Sequence, residues 1–215
     1  VVGTLGLSFN NFSARNFFKK DAWRPLPSGD GQKLSLRGQT NGKYYYSVSA
    51  SFTEPWLGGK KPNSLSVSVY HSKQSNGYAS DEPTYASLTI NGASVGLGKR
   101  LKWPDDYFTI YHTISLQNYV LNNYGSLFSF SDGYANNLNY SLTIARNSID
   151  APIYARSGSE ISLTLQLTPP FSMFSSKDYK NSSDQDRFKW IEYHKWKFKA
   201  SWFFNLSGKL VLNTK

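Results

Sequence analysis

The sequence predicts an all-β fold: an antiparallel transmembrane β-barrel, of which this chain supplies about ten consecutive strands. Three observations predict it. Residues 137–144 and 160–168 alternate between apolar and polar side chains, and a period of two puts one kind on each face of a strand. The polar half of that alternation is Ser, Thr, Asn and Gln with almost no charge. A soluble barrel would turn its apolar face inward and set Lys or Glu outside, whereas hydroxyls and amides suit a wet, enclosed lumen and leave the apolar face to meet lipid. Aromatic residues make up 16% of the chain, an excess that interfacial girdles of Tyr and Trp explain.

The same alternation recurs from the first residues to the last. Leu5, Leu7 and Phe9 alternate with Thr4, Gly6 and Ser8; Leu34 and Leu36 sit between Lys33, Ser35 and Arg37. Tyr44, Tyr46, Val48, Ala50 and Phe52 alternate with Tyr45, Ser47, Ser49, Ser51 and Thr53, and Leu65, Val67 and Val69 with Ser64, Ser66 and Ser68. Leu88 and Ile90 flank Thr89, and Phe108, Ile110, His112, Ile114 and Leu116 alternate with Thr109, Tyr111, Thr113, Ser115 and Gln117. Beyond residues 137–144 and 160–168, Trp196, Phe198, Ala200, Trp202, Phe204 and Leu206 alternate mainly with Lys195, Lys197, Lys199, Ser201 and Asn205, and a last strand begins near Lys209. Strands of about 8–12 residues cross a bilayer when tilted.

The connections read as turns and loops. Asn41-Gly42 is a tight-hairpin signal. Residues 19–31 and 54–63 are rich in Pro and Gly, 74–83 and 122–136 are polar, 150–158 is a Pro/Gly turn, and 169–187 opens on Pro169-Pro170 and becomes charged. The two longest loops, 122–136 and 169–187, are candidates for partner contacts. No internal repeat or domain boundary interrupts residues 1–215, which read as one partial barrel domain. Val1 already lies in a strand pattern rather than a signal peptide, and the chain starts inside one strand and stops inside another. A portion of a longer protein is therefore expected, since an open strand edge in lipid leaves backbone groups unsatisfied.

Composition narrows the classes. There is no cysteine, hence no disulfide framework and no thiolate metal site. Hydrophobic residues are 39% of the chain and mean hydropathy is −0.49, with no run of 18 apolar residues. That excludes a helical membrane protein but not a membrane barrel, in which only alternate residues are apolar. The net charge of +10 fits either nucleic acid or an anionic lipid surface.

Motifs with a chemical reading resolve into structural ones. Gly92-Ala93-Ser94-Val95-Gly96 has the letters of a nucleophile elbow, but Leu97 to Pro104 make a poor helix opening, and a Gly-rich strand end is favoured. His71, His112 and His194 have no partner at metal-ligand spacing, and His112 falls on an otherwise apolar face, where a satisfied or interfacial histidine is expected. Asp105-Asp106, Asp150 and Glu160 offer no acid–base pair, and Asp150 with Arg146 or Arg156 reads as a turn-stabilising ion pair. The Asn-Xaa-Ser triplets at Asn11, Asn139, Asn181 and Asn205 are expected by chance in a chain this rich in Asn and Ser. Lys195, Lys197 and Lys199 interleave with Trp196 and Phe198, as in single-strand nucleic-acid binders. Alternation puts the lysines on one face and the rings on the other, which favours a basic lumen stripe and a lipid-facing aromatic row, with no nucleic acid bound. Pro55 in Glu54-Pro55-Trp56 ends strand pairing, and Trp56 is then placed to anchor at the headgroup level.

Three connections carry a family resemblance. Phe52 to Gly59, with Glu54, Pro55 and Trp56, resembles the strand end and turn of BamA-type outer-membrane protein assembly factors. Ala145 to Gly158, with Arg146, Asp150, Pro152 and Gly158, resembles another turn of that family, although Ala155 stands where Pro is common and Ile149 where many members have Arg. Asn11 to Phe18 resembles the segment entering the first barrel turn. The order and spacing of all three match.

What the resemblance implies is a non-enzymatic insertase of the bacterial outer membrane that needs no cofactor. Its partners would be outer-membrane lipid, nascent outer-membrane β-barrel proteins and accessory assembly subunits. The resemblance also implies POTRA modules before a 16-stranded barrel, an Arg-Gly-Phe-type motif on a lumen loop and a seam between first and last strands, with this chain covering about the second to the eleventh strand. The alternatives are a passive outer-membrane pore or transporter barrel, a soluble glycan-binding sandwich and an outer-membrane hydrolase.

Overall fold

A computed structural model describes residues 2–59, 63–125, 127–174, 182–208 and 210–215. Its strands are β1 (Gly3–Phe12), β2 (Gln32–Thr40), β3 (Tyr45–Glu54), β4 (Asn63–Ser75), β5 (Ser87–Arg100), β6 (Phe108–Asn122), β7 (Gly133–Asn147), β8 (Gly158–Leu167), β9 (His194–Ser207) and β10 (Leu210–Thr214). They form one sheet in the order β1 to β10, each antiparallel to the next in sequence, with β1 and β10 as its edges. Val1 and Lys209, placed in strands by the alternation, lie outside the described residues, as do Asn181 and parts of the 54–63, 122–136 and 169–187 loops.

The register sorts the side chains as the period of two requires. Leu65, Val67 and Val69 of β4 face Leu97, Val95 and Ala93 of β5, and Val95 and Ala93 face Ile114 and Leu116 of β6. Ser68, Ser94 and Ser115 share the other face. The apolar face does not close over a dry interior: Leu5 is 71% exposed, Ile114 58%, Trp196 62% and Phe198 67%. Among the described residues the buried hydrophobic side chains are only Phe12, Leu88, Leu121 and Ala135, while Gln32, Ser87, Asn137, Asn139 and Ser159 are buried polar ones. Exposed greasy rows and enclosed amides and hydroxyls are the inside-out arrangement of a membrane barrel.

The apolar band also slides along the sheet. Leu5 is in register, through Gly38, Val48, His71, Asn91 and Asn118, with Asn136. On β9 the apolar residue nearest the same end is Trp196, in register through Leu165 with Leu142. The band thus descends roughly six residues over eight strand steps, as strands tilted to the barrel axis demand.

Three elements differ from their sequence reading. β5 runs on through its glycines to Arg100, and β4 continues to Ser75. β7 begins at Gly133, inside the segment read as a loop. The Asn41-Gly42 hairpin forms as expected, with the Asn41 N–H donating to the Tyr45 carbonyl at 2.7 Å and Gly42 at φ +58°.

Candidate functional site: a motif-bearing rim and a polar lumen wall

The connections β1–β2, β3–β4, β5–β6 and β7–β8 all lie at one end of the sheet, so the three family-like turns share one rim. Two of them are joined directly. One Glu54 carboxylate oxygen accepts the Trp56 N–H at 2.9 Å, the other the Gln32 side-chain amide at 2.6 Å, and the Gln32 Oε1 accepts the Ala14 N–H at 2.6 Å. Ser13 donates to Asp30 at 2.6 Å, and its backbone N–H donates to the Pro27 carbonyl at 2.9 Å. Phe12 packs edge-on against both Phe17 and Phe52. Pro55 follows the last residue of β3, as a residue without an N–H should, and Trp56 is exposed beside it.

The third motif folds around Ser148 and Ser159. Arg146 donates through Nε to Asp105 at 2.9 Å and through one terminal nitrogen to the hydroxyls of Ser148 and Ser159, each at 2.9 Å. Its guanidinium also lies over the Tyr107 ring at 5.5 Å. The ion pair expected between Arg146 or Arg156 and Asp150 is therefore replaced. Arg146 takes Asp105 from the β5–β6 turn, and Asp150 accepts the backbone N–H groups of Arg156 at 3.0 Å and Ser157 at 3.3 Å. Those N–H groups, Arg156 first, hold the Asp150 carboxyl below the usual carboxylate range. Gly158 has φ +105°, and a Cβ there would stand 2.2 Å from the Ser148 carbonyl oxygen, so only glycine fits. Pro152 is exposed at the tip, with Tyr154 beyond it at φ +58°.

The lumen wall is mostly polar, interrupted toward the end away from the motif turns by Ile90, Leu88 and Leu121. Thr143 and Thr164 share a hydrogen bond at 3.0 Å, and Asn137 donates to Gln117 at 3.2 Å. Lys195, Lys197 and Lys199 of β9 extend it, opposite Gln166, Thr164 and Ser162 of β8. All three are exposed and none is paired with a carboxylate among the described residues. Trp196 and Phe198 project from the opposite face, opposite Leu165 and Leu163. The arrangement can attract anions into the lumen, and it separates ammonium from ring in a way a stacking groove for single-stranded nucleic acid does not.

The glycines, Ser94 and His112 have structural roles. Gly92, Gly96 and Gly98 make room on the lumen face for the rings of Tyr70 and Tyr111. Tyr70 accepts from Gln117 at 2.7 Å, and Tyr111 is hydrogen-bonded to Ser66. Ser94 of the elbow-like motif lies within β5 and bonds to Ser68 at 2.7 Å. His112 bonds to the Tyr140 hydroxyl at 2.7 Å. At the end away from the motif turns, Phe128 and residues of 171–192 line one cleft of about 840 Å³, so the two long loops meet.

An inside-out, tilted antiparallel sheet with a polar wall defines an outer-membrane β-barrel. The Omp85 superfamily domain matches residues 28–215, and the chain belongs to that superfamily. The fold is similar to the crystal structure of BamA from Haemophilus ducreyi lacking POTRA domains 1-3, with a TM-score of 0.60 and 19% identity over 97% of this chain and 35% of that one. At that identity the likeness is one of fold, that of a BamA-type barrel segment. No curated protein matches the sequence.

Proposed function

We propose that this chain is part of the barrel of an assembly factor that folds β-barrel proteins and inserts them into the bacterial outer membrane. The observation that carries the reading is superfamily membership in a chain whose apolar face is turned outward. The action needs no bond-making chemistry. An unpaired strand edge templates an incoming strand by backbone hydrogen bonding, while a rigid wall keeps the lumen wet. The residues of this chain supply that wall, and the turn of Glu54, joined to the segment of Ala14, and the turn of Arg146, tied to Asp105, hold its rim. Nascent barrel proteins and accessory subunits are the partners this function requires.

Depletion of the full-length protein tests it. Other outer-membrane barrels should fall in abundance while their unfolded precursors accumulate, and normal barrel levels would remove the proposal. A passive pore is the second reading, favoured by Lys195, Lys197 and Lys199 on the lumen wall, which meet no carboxylate among the described residues. Large, stable, anion-selective conductance in planar bilayers, together with normal barrel levels on depletion, would select it.

A further inference from the structure

The outer face carries a polar row that neither reading uses. His71, Asn91, Asn118 and Asn136 stand in register on β4, β5, β6 and β7, on the apolar face. They border the apolar band: Val69, Ala93, Leu116 and Leu138 form the next row on that face toward the motif-bearing rim. At the edge of hydrocarbon an unpaired amide is costly, because no water replaces its lost hydrogen bonds. Instead they bond to one another. The Tyr46 hydroxyl meets His71 Nε2 at 3.1 Å and His71 Nδ1 meets Asn91 Oδ1 at 2.6 Å. Asn91 then donates to Asn118 at 3.5 Å and Asn118 to Asn136 at 2.8 Å.

This ladder has a direction. Asn91 Oδ1 can only accept, so His71 Nδ1 carries the proton and Nε2 accepts from Tyr46. Every donor then points toward β7, and the row ends on the Asn136 side-chain amide, whose N–H groups have no partner among the described residues. Beside that end the Asn136 N–H donates to the Lys189 carbonyl at 2.8 Å. The Lys189 ammonium lies over the Tyr134 ring at 5.5 Å, and the Tyr134 hydroxyl, with Asp186 more weakly, raises its pKa. One row beyond the ladder on β4 is Lys73, over the Tyr85 ring at 5.7 Å. Free amide donors and the Lys189 ammonium thus meet where the apolar band ends, while Lys73 stands three strands away in the row of Tyr134, in a protein of net charge +10.

We propose that the Asn136–Lys189 end of this ladder binds the phosphate of anionic lipid headgroups at the outer face of the barrel. Amide donors and ammonium groups complement a phosphate's oxygens and charge, and the apolar band beside them receives the acyl chains. The proposal rests on the outer face meeting lipid and is independent of the insertase reading.

The test uses the full-length protein in zwitterionic detergent, titrated with phosphatidylglycerol or phosphatidylcholine and read by native mass spectrometry. Phosphatidylglycerol should bind more tightly, and Lys189→Gln should weaken it about fivefold, the contribution of one lysine at an anionic surface. Lys189→Arg should retain it, phosphatidylcholine should be unaffected, and millimolar inorganic phosphate should not compete. Equal affinity for the two lipids, or a Lys189→Gln variant that binds phosphatidylglycerol undiminished, would overturn the proposal. Competition by free phosphate would instead mark a soluble-anion site and overturn it too. Should the variants not fold, the unsubstituted protein still decides: its preference should vanish in about 0.5 M salt, where screening reaches only about 4 Å, and a preference that persisted there would defeat an electrostatic site.

Discussion

At Gly92 the Tyr70 ring occupies the space a side chain would need, for a Cβ would stand 2.2 Å from it. Gly96 and Gly98 stand in the same relation to Tyr111. In the sequence these glycines look like interruptions, because they remove the alternation by which a strand is read. β5 was therefore legible only over Leu88 to Ile90, although it runs to Arg100. Their meaning depends on the register that sets Tyr70 beside Gly92, a relation between strands that no local window contains. Gly92→Ala should destabilise the barrel by about 1–3 kcal/mol through overpacking, read as a lower urea midpoint for unfolding in micelles. Tyr70→Ser in the same chain should recover part of that loss, because neighbouring substitutions are non-additive. An identical alanine penalty with Tyr70 and with Ser in its place would show that the ring does not occupy that space.

The turns show a similar division at the level of elements. Their positions were legible from Pro, Gly and Asn, but the steric need for glycine at 158 was not. Their contacts were not, because Arg146 finds Asp105 across a hairpin rather than Asp150 nearby in sequence. Asp150 is instead a local cap whose carboxylate collects N–H groups of its own turn. Its pKa is depressed in the folded state. Its contribution is therefore fully present above the unfolded carboxylate value of about 3.9 and is lost as the pH falls through the folded one. Hydrogen exchange at the Arg156 and Ser157 amides, corrected for intrinsic rates, should accelerate as the pH drops below about 4. Asp150→Asn should abolish that pH dependence. An acid-insensitive turn in the unsubstituted protein would show that the carboxylate does not hold it.

For the whole molecule, the decisive relation is which face meets which solvent. Alternation made this readable on most strands, which carry the sign of their two faces in their own residues; β5 is the exception, for Leu88 and Ile90 fall on the lumen face with Gly92 and Ser94. The outer polar ladder was missed for the same reason: His71, Asn91, Asn118 and Asn136 each break the pattern once, and only the register aligns them. Ile114 and Ser115 isolate the face argument, being neighbours on β6 that point opposite ways. Ile114 shares its face with Val95 and Tyr140, and Ser115 shares the other with Ser94 and Asn139. An arginine in place of Ile114 should cost about 2–4 kcal/mol in a bilayer, as charge does on the lipid face near the midplane. Ser115→Arg, reaching lumen water, should cost much less. The measurement is the fraction of full-length protein that folds into phosphatidylcholine vesicles across a urea series. If the arginine at 115 blocked folding while the one at 114 were tolerated, the apolar face would be the one in water and the barrel would be inside-in, with its membrane setting lost.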